Sequence, residues 1–136
     1  MDKEKTDKKK FDFFNDHSRT YLEMAFKMDH VERLEHPDGY GKNTGDCGDT
    51  VEFFLTFKDD RLISVSFDIK GCINTRACAN AIVELTKGKT ESEAWDITYD
   101  QIIEFLGTLP PEEHHCAQLA VGAFYKALAD YREKKT

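Results

Sequence analysis

A chain of 136 residues has the size of one domain and can enclose one modest core. With 40% apolar and 33% charged residues and a formal net charge of −7, it reads as an ordinary globular chain with no nucleic-acid partner. No apolar run approaches the roughly 18 residues of a membrane span, and the opening MDKEKTDKKK lacks the apolar stretch of a signal peptide, so no membrane partner and a cytoplasmic location are expected.

In such a compartment the four cysteines, Cys47, Cys72, Cys78 and Cys116, are better read as core residues, metal ligands or reactive thiols than as a disulfide framework. Residues 1–15 are expected to be a flexible charged tail, and 16–136 a single domain. Tyr21, Leu22, Met24, Ala25, Met28, Val31 and Leu34 recur at helical spacing, which predicts an amphipathic helix from about Asp16 to Glu35. HPDGYGKNTGDCGD follows, rich in Gly, Asp, Asn and Pro, and predicts a mobile loop.

The period then switches to two. Val51, Phe53, Leu55 and Phe57 alternate with polar residues except at Phe54, and Ile63, Val65, Phe67 and Ile69 alternate likewise. With KDDR as the turn, these segments predict an antiparallel hairpin. Asn74 to Lys87 predicts a helix with Ala77, Ala81, Ile82 and Leu85 on one face, ending at Gly88. Thr90 with Glu93 and Thr98 with Gln101 have capping-box spacing, so each opens a short helix. LPP opens the last helix, whose apolar stripe is Cys116, Leu119, Ala120, Ala123, Phe124, Ala127 and Tyr131. The fold class is α+β, a small antiparallel sheet of up to three strands packed against helices.

The hairpin makes a spatial prediction. Putting both apolar faces on one side sets Phe57 opposite Arg61 or Ile63, which sets Asp46 or Gly48 opposite Cys72. Cys47 therefore falls within one residue of facing Cys72 at the open end of the hairpin, where paired strands are about 5 Å apart. Cys116 begins the last helix after His114 and His115, at a helix N-terminus that favours a thiolate. If that end packs over the open hairpin, Cys47, Cys72, Cys116 and a histidine converge into a donor set suited to Zn²⁺ or an iron–sulfur cluster. Plainer readings stand beside this one. Cys116 lies on an apolar stripe, Cys78 reads as a small core residue, His17, His30 and His36 as surface residues, and Asp49 can be a turn former.

Taken together, CGD ahead of a strand, GC after the next, KGKT after a helix, LPP…HC opening the last helix, and ALADY near the end resemble the IscU/NifU-type iron–sulfur cluster scaffolds, from roughly Tyr21 to Tyr131. The resemblance implies an IscU/SufE-like fold and a scaffold, not an enzyme. Such a scaffold takes persulfide sulfur from a cysteine desulfurase, takes iron, builds a transient [2Fe–2S] cluster and passes it to apo-proteins. It implies ligation by Cys47, Asp49, Cys72, His115 and Cys116, with Cys116 as persulfide acceptor, Asp49 keeping the cluster labile, and Zn²⁺ as an occupant in isolated protein. A monomer or weak homo-oligomer is expected. Three departures stand out. The chaperone-recruiting LPPVK of the family reads LPPEE here, with Glu113 in place of a lysine, which argues against an Hsp70-type partner; GCG reads GCI; and the segment before CGD is shorter. Two rival functions use the same ligands: a zinc-binding regulator of a desulfurase, and a zinc-bound, SufU-like sulfurtransferase. The second is usually marked by an insertion between the GC and HC motifs, for which the 44 positions from Cys72 to Cys116 leave no room.

Overall fold

The computed structural model describes residues 16–135, so the tail expected at 1–15 lies outside the described residues. In chain order the elements are α1 (Arg19–Phe26), β1 (Gly39–Thr44), β2 (Thr50–Lys58), β3 (Arg61–Lys70), α2 (Ile73–Thr86), α3 (Glu91–Ala94), α4 (Tyr99–Leu106), a 3₁₀ turn (Pro111–Glu113) and α5 (His114–Lys134). The strands form one antiparallel sheet in the order β1-β2-β3, with α5 against β1 and β2 and α2 central among the helices.

Both capping boxes form as their spacing predicts: Thr90 accepts from the Glu93 N–H and Thr98 from the Gln101 N–H, while the Glu93 and Gln101 side chains return to the capping residues. α2 is buried without interruption from Ala77 to Val83, so Cys78 is a core residue at 0% exposure. The α5 stripe is buried from Cys116 to Ala127, with Phe124 edge-on to Phe53 of β2 at 5.5 Å between ring centroids.

Two expectations are corrected. The first helix stops at Phe26, well short of Glu35, because Lys27 turns extended and the following chain pairs with the sheet. The Glu32 N–H donates to the Phe67 carbonyl and the Phe67 N–H to the His30 carbonyl, so this segment lies along the outer edge of β3. Arg33 then reaches over the sheet to Glu52 and Asp68 and covers the Phe54 ring, which explains why Phe54 breaks the alternation of β2 yet is buried. The backbone hydrogen bonds and the Arg33 fork outweigh a helical periodicity carried only by Met28, Val31 and Leu34.

The second correction concerns the loop. Residues 39–44 of the expected mobile loop form β1. Its glycines serve close packing: a Cβ on Gly41 would lie 2.3 Å from the Ala123 carbonyl oxygen and the Ala127 nitrogen of α5, and one on Gly39 would lie 2.4 Å from the Ala127 carbonyl oxygen. Only a bare backbone fits there. The connection to β2 shrinks to a turn at 45–49, closed by Gly45 N–H to the Asp49 carbonyl and Gly48 N–H to the Gly45 carbonyl.

Of the two hairpin registers, the one that carries Gly48 towards Cys72 holds from Thr50↔Lys70 to Thr56↔Ser64. A bulge at Thr56/Phe57 then sets Phe57 against Leu62. The bulge reverses the parity of β3 at its start, so Leu62 points inward and Ile63 is 58% exposed instead of following Val65 and Phe67 into the core.

Candidate metal centre

The N-termini of α2 and α5 meet at the open end of the hairpin, and each delivers a cysteine. Cys72 is the N-cap of α2, with extended backbone (φ −85°, ψ 174°). Asp49, the last residue of the 45–49 turn, reaches across to it. Its carboxylate accepts from the Thr75 hydroxyl at 2.8 Å and weakly from the Cys72 N–H at 3.5 Å, and so holds the start of α2 from that turn. Gly71 makes this possible, because a Cβ there would stand 2.7 Å from the Asp49 carboxyl carbon. Cys116 completes a group in which one ligand atom each of Asp49, Cys72 and Cys116 lie within 4.8 Å of one another.

A second group shares the same thiol. Ligand atoms of Glu113, His115 and Cys116 also lie within 4.8 Å of one another. The Cys116 thiol donates to Glu113 at 3.5 Å and has His115 Nε2 at 3.7 Å. His115 Nδ1–H donates to the Glu112 carbonyl at 3.2 Å, which leaves the lone pair of Nε2 facing the cysteine. His114 points elsewhere, its Nε2 bonded to the Leu109 carbonyl, so His115 is the histidine at the cluster.

Cys47 follows the backbone register to the open end of the hairpin, yet among the described residues it belongs to neither group. The tight turn draws Asp49 inward and leaves Cys47 exposed at its apex, lining an open cleft of about 470 Å³ with His115, Gln118 and Leu119. The neighbour of Cys72 is therefore Asp49. Burial acts against thiolate character at the start of α5. Cys116 is fully buried, and burial pushes its thiol up to about 12, against a lowering hydrogen bond from Thr75 and with a further push from Cys72 and Glu113. Desolvation opposes the helix dipole here. Cys78 is raised too, chiefly by burial, and belongs to neither group among the described residues.

Three contributors escaped sequence reasoning. Thr75 stands three residues after Cys72, one turn on the same face, and that spacing was its only signal. Glu113 stands three residues before Cys116 in the same relation. Tyr21 comes from the far end of the chain, with its hydroxyl on Asn74 and its acidity suppressed first by burial and then by Cys72, Cys78 and Cys116. No local pattern marks it.

The family model described as NifU-like N terminal domain matches residues 28–136. The chain belongs to this family. Relatives within reach of its sequence bear scaffold names. It is 38% identical over 106 residues to the iron-sulfur cluster assembly scaffold protein IscU 1 of Archaeoglobus fulgidus, covering 76% of this chain and 69% of that one. It is 31% identical over 126 residues to IscU of Escherichia coli, covering 82% and 98%. The fold is that of the NifU-like N-terminal protein from Brucella abortus (TM-score 0.71, 18% identity, 86% and 94% covered). It is also that of a putative SUF-system scaffold from Fervidobacterium islandicum (TM-score 0.68, 22% identity, 82% and 95% covered). The two groups offer sulfur, carboxylate and imidazole donors, a mixed set whose chemistry suits iron or zinc. Among the described residues no helix is long and apolar enough to cross a membrane.

Proposed function

We propose that this protein is a scaffold on which an iron–sulfur cluster is assembled and from which it is handed to apo-proteins. The observation that carries the proposal is the convergence of Asp49, Cys72 and Cys116 at the open end of the sheet, in a chain whose relatives are named as scaffolds. The cargo is a [2Fe–2S] cluster; iron and sulfur are its substrates. Cys72 and Cys116 supply thiolate ligands, Asp49 and His115 weaker oxygen and nitrogen ligands that favour release, and Cys47 closes over the cargo from its turn.

Sulfur arrives from a cysteine desulfurase as a persulfide. The thiolate of Cys116 attacks the outer sulfur, the S–S bond breaks, and the desulfurase cysteine leaves as a thiolate, with no net oxidation. Glu113 is the nearest base for the proton of Cys116. Because Cys116 is fully buried, acceptance requires its surroundings to open. The zinc-bound sulfurtransferase is the second reading, favoured by one observation: Cys47 is exposed outside both donor groups, so it can meet a persulfide without any opening.

Anaerobic reconstitution with iron, cysteine and a desulfurase tests the scaffold. The expected result is a visible charge-transfer absorption that disappears when an apo-acceptor is added. Tightly held zinc that iron cannot replace would overturn the scaffold and leave the sulfurtransferase. Asp49→Ala is expected to lengthen the lifetime of the cluster; an unchanged lifetime would remove the release role of Asp49.

A further inference from the structure

We infer that Glu113 is itself a metal ligand, and that Glu113, His115 and Cys116 form a second three-donor site for a divalent transition-metal ion, adjoining the Asp49 and Cys72 ligands and sharing the Cys116 sulfur with them. The inference rests on the scaffold reading and deepens it, because it assigns to this chain a ligand where the resembling family has a lysine.

The geometry is close to that of an occupied site. The three donor atoms make a triangle with sides of 3.5 Å (Glu113 Oε1 to Cys116 Sγ), 3.7 Å (His115 Nε2 to Cys116 Sγ) and 4.0 Å (His115 Nε2 to Glu113 Oε1). A tetrahedral ion with bonds of about 2.0–2.3 Å to O, N and S separates those donors by about 3.4–3.6 Å. Closing the triangle around an ion therefore needs shifts of about half an ångström or less, within the reach of a side-chain torsion.

Three further features point the same way. The histidine is oriented as metal-bound histidines are, with Nδ1–H on a backbone carbonyl and Nε2 turned to the other donors. The backbone that presents Glu113 is held by the 3₁₀ turn behind Pro110 and Pro111, where the Glu113 N–H donates to the Pro110 carbonyl at 2.8 Å. The Glu113 and His115 side chains are 30% and 49% exposed, so an ion and a water as fourth ligand can enter from solvent. Electrostatics distinguishes this chain from the lysine pattern. A carboxylate and a thiolate neutralise a divalent ion, whereas an ammonium group in the same place would repel it. The two donor groups share Cys116, so they hold two ions together only with its sulfur as the bridge.

The test uses Co²⁺ as the probe, under anaerobic conditions, with d–d and thiolate-to-cobalt absorption and competition by a chelator of known affinity as readouts. The full chain is expected to bind Co²⁺. The double variant Asp49→Ala/Cys72→Ala, which removes the first group, should still bind one Co²⁺ with a single-thiolate spectrum. Adding Glu113→Gln, similar in size and uncharged, should weaken that binding at least tenfold. Glu113→Lys should weaken it further, and Glu113→Asp should restore part of it. An affinity and spectrum left unchanged by Glu113→Gln in the double-variant background would overturn the inference, as would a double variant that binds no Co²⁺ while the unaltered chain does. Both of those results leave the scaffold reading standing. An unaltered chain that binds no Co²⁺ at all would overturn the inference, and the reconstitution above would then decide the scaffold reading separately.

Discussion

At its C-terminal end α5 is tied down by charges that have partners. Glu91, 4% exposed, takes Arg132 at 2.7 Å, Lys135 at 3.2 Å and the Trp95 indole N–H; Asp60 takes Lys135 and the Tyr131 hydroxyl; and Tyr131 stacks on Phe57 with 3.6 Å between ring centroids. At its N-terminal end the same helix meets Asp49, Glu113, Cys72 and Cys116, and among the described residues no Lys or Arg forms an ion pair with either carboxylate. One end pairs its acids with cations of the chain; at the other, the two carboxylates have hydroxyl, amide and thiol partners in place of Lys or Arg. The contrast teaches where stability is invested: the latch holds the helix so that the donor end need not, and the donor end is free to exchange its cargo.

The latch and β1, the strand packed closest on α5, should be where the fold is most sensitive. Gly41→Ala forces a methyl group into the α5 backbone and should cost about 3 kcal/mol in chemical denaturation, the upper range of overpacking. A cost below about 1 kcal/mol would mean that β1 and α5 slide freely, and the contrast between the ends would dissolve. Glu91→Ala should follow at about 2 kcal/mol, since it leaves the indole N–H unpaired while its partly exposed cationic partners return to water at little cost.

The latch also predicts a pH signature. Burial by itself would raise the Glu91 carboxyl, but the Trp95 and Lys135 hydrogen bonds hold it below its ordinary 4.5. A depressed carboxyl stabilises the fold fully above its unfolded value, and that contribution is lost as pH falls through the folded value. Stability measured by denaturation should therefore drop as pH falls below about 4.5, and Glu91→Gln should flatten that part of the drop; an identical acid limb in both would remove Glu91 from the account.

Smaller effects belong to the donor end. Gly71→Ala displaces the Asp49 carboxylate from Thr75 and should cost about 1 kcal/mol, together with a several-fold loss of metal affinity read by titration. Cys72→Ser should change the stability of the metal-free protein by no more than about 0.5 kcal/mol while no cluster forms on it. A loss above about 1 kcal/mol would show that this thiol is part of the packing, and would blur the distinction between the two ends.

Much of this arrangement is encoded locally. The alternation of the hairpin strands, the capping boxes, the α5 stripe and the apolar face of α2 are written in spacings of two to four residues, which periodicity and cap chemistry report directly. Short motifs likewise single out Asp49, Cys72, His115 and Cys116; the fold sets Asp49 and Cys72 beside Cys116 in one group and His115 beside Cys116 in the other. The remainder depended on partners distant in the chain. Residues 27–35 left their helical period to pair with β3, Gly39 and Gly41 became packing residues instead of turn formers, and the bulge turned Ile63 outward. The placement of Asp49 in the stead of Cys47 beside Cys72 and the approach of Glu113 to Cys116 and His115 were decided only when distant chain segments converged. A sequence pattern records which neighbours a residue has along the chain; desolvation and donor geometry depend on neighbours that only tertiary packing supplies.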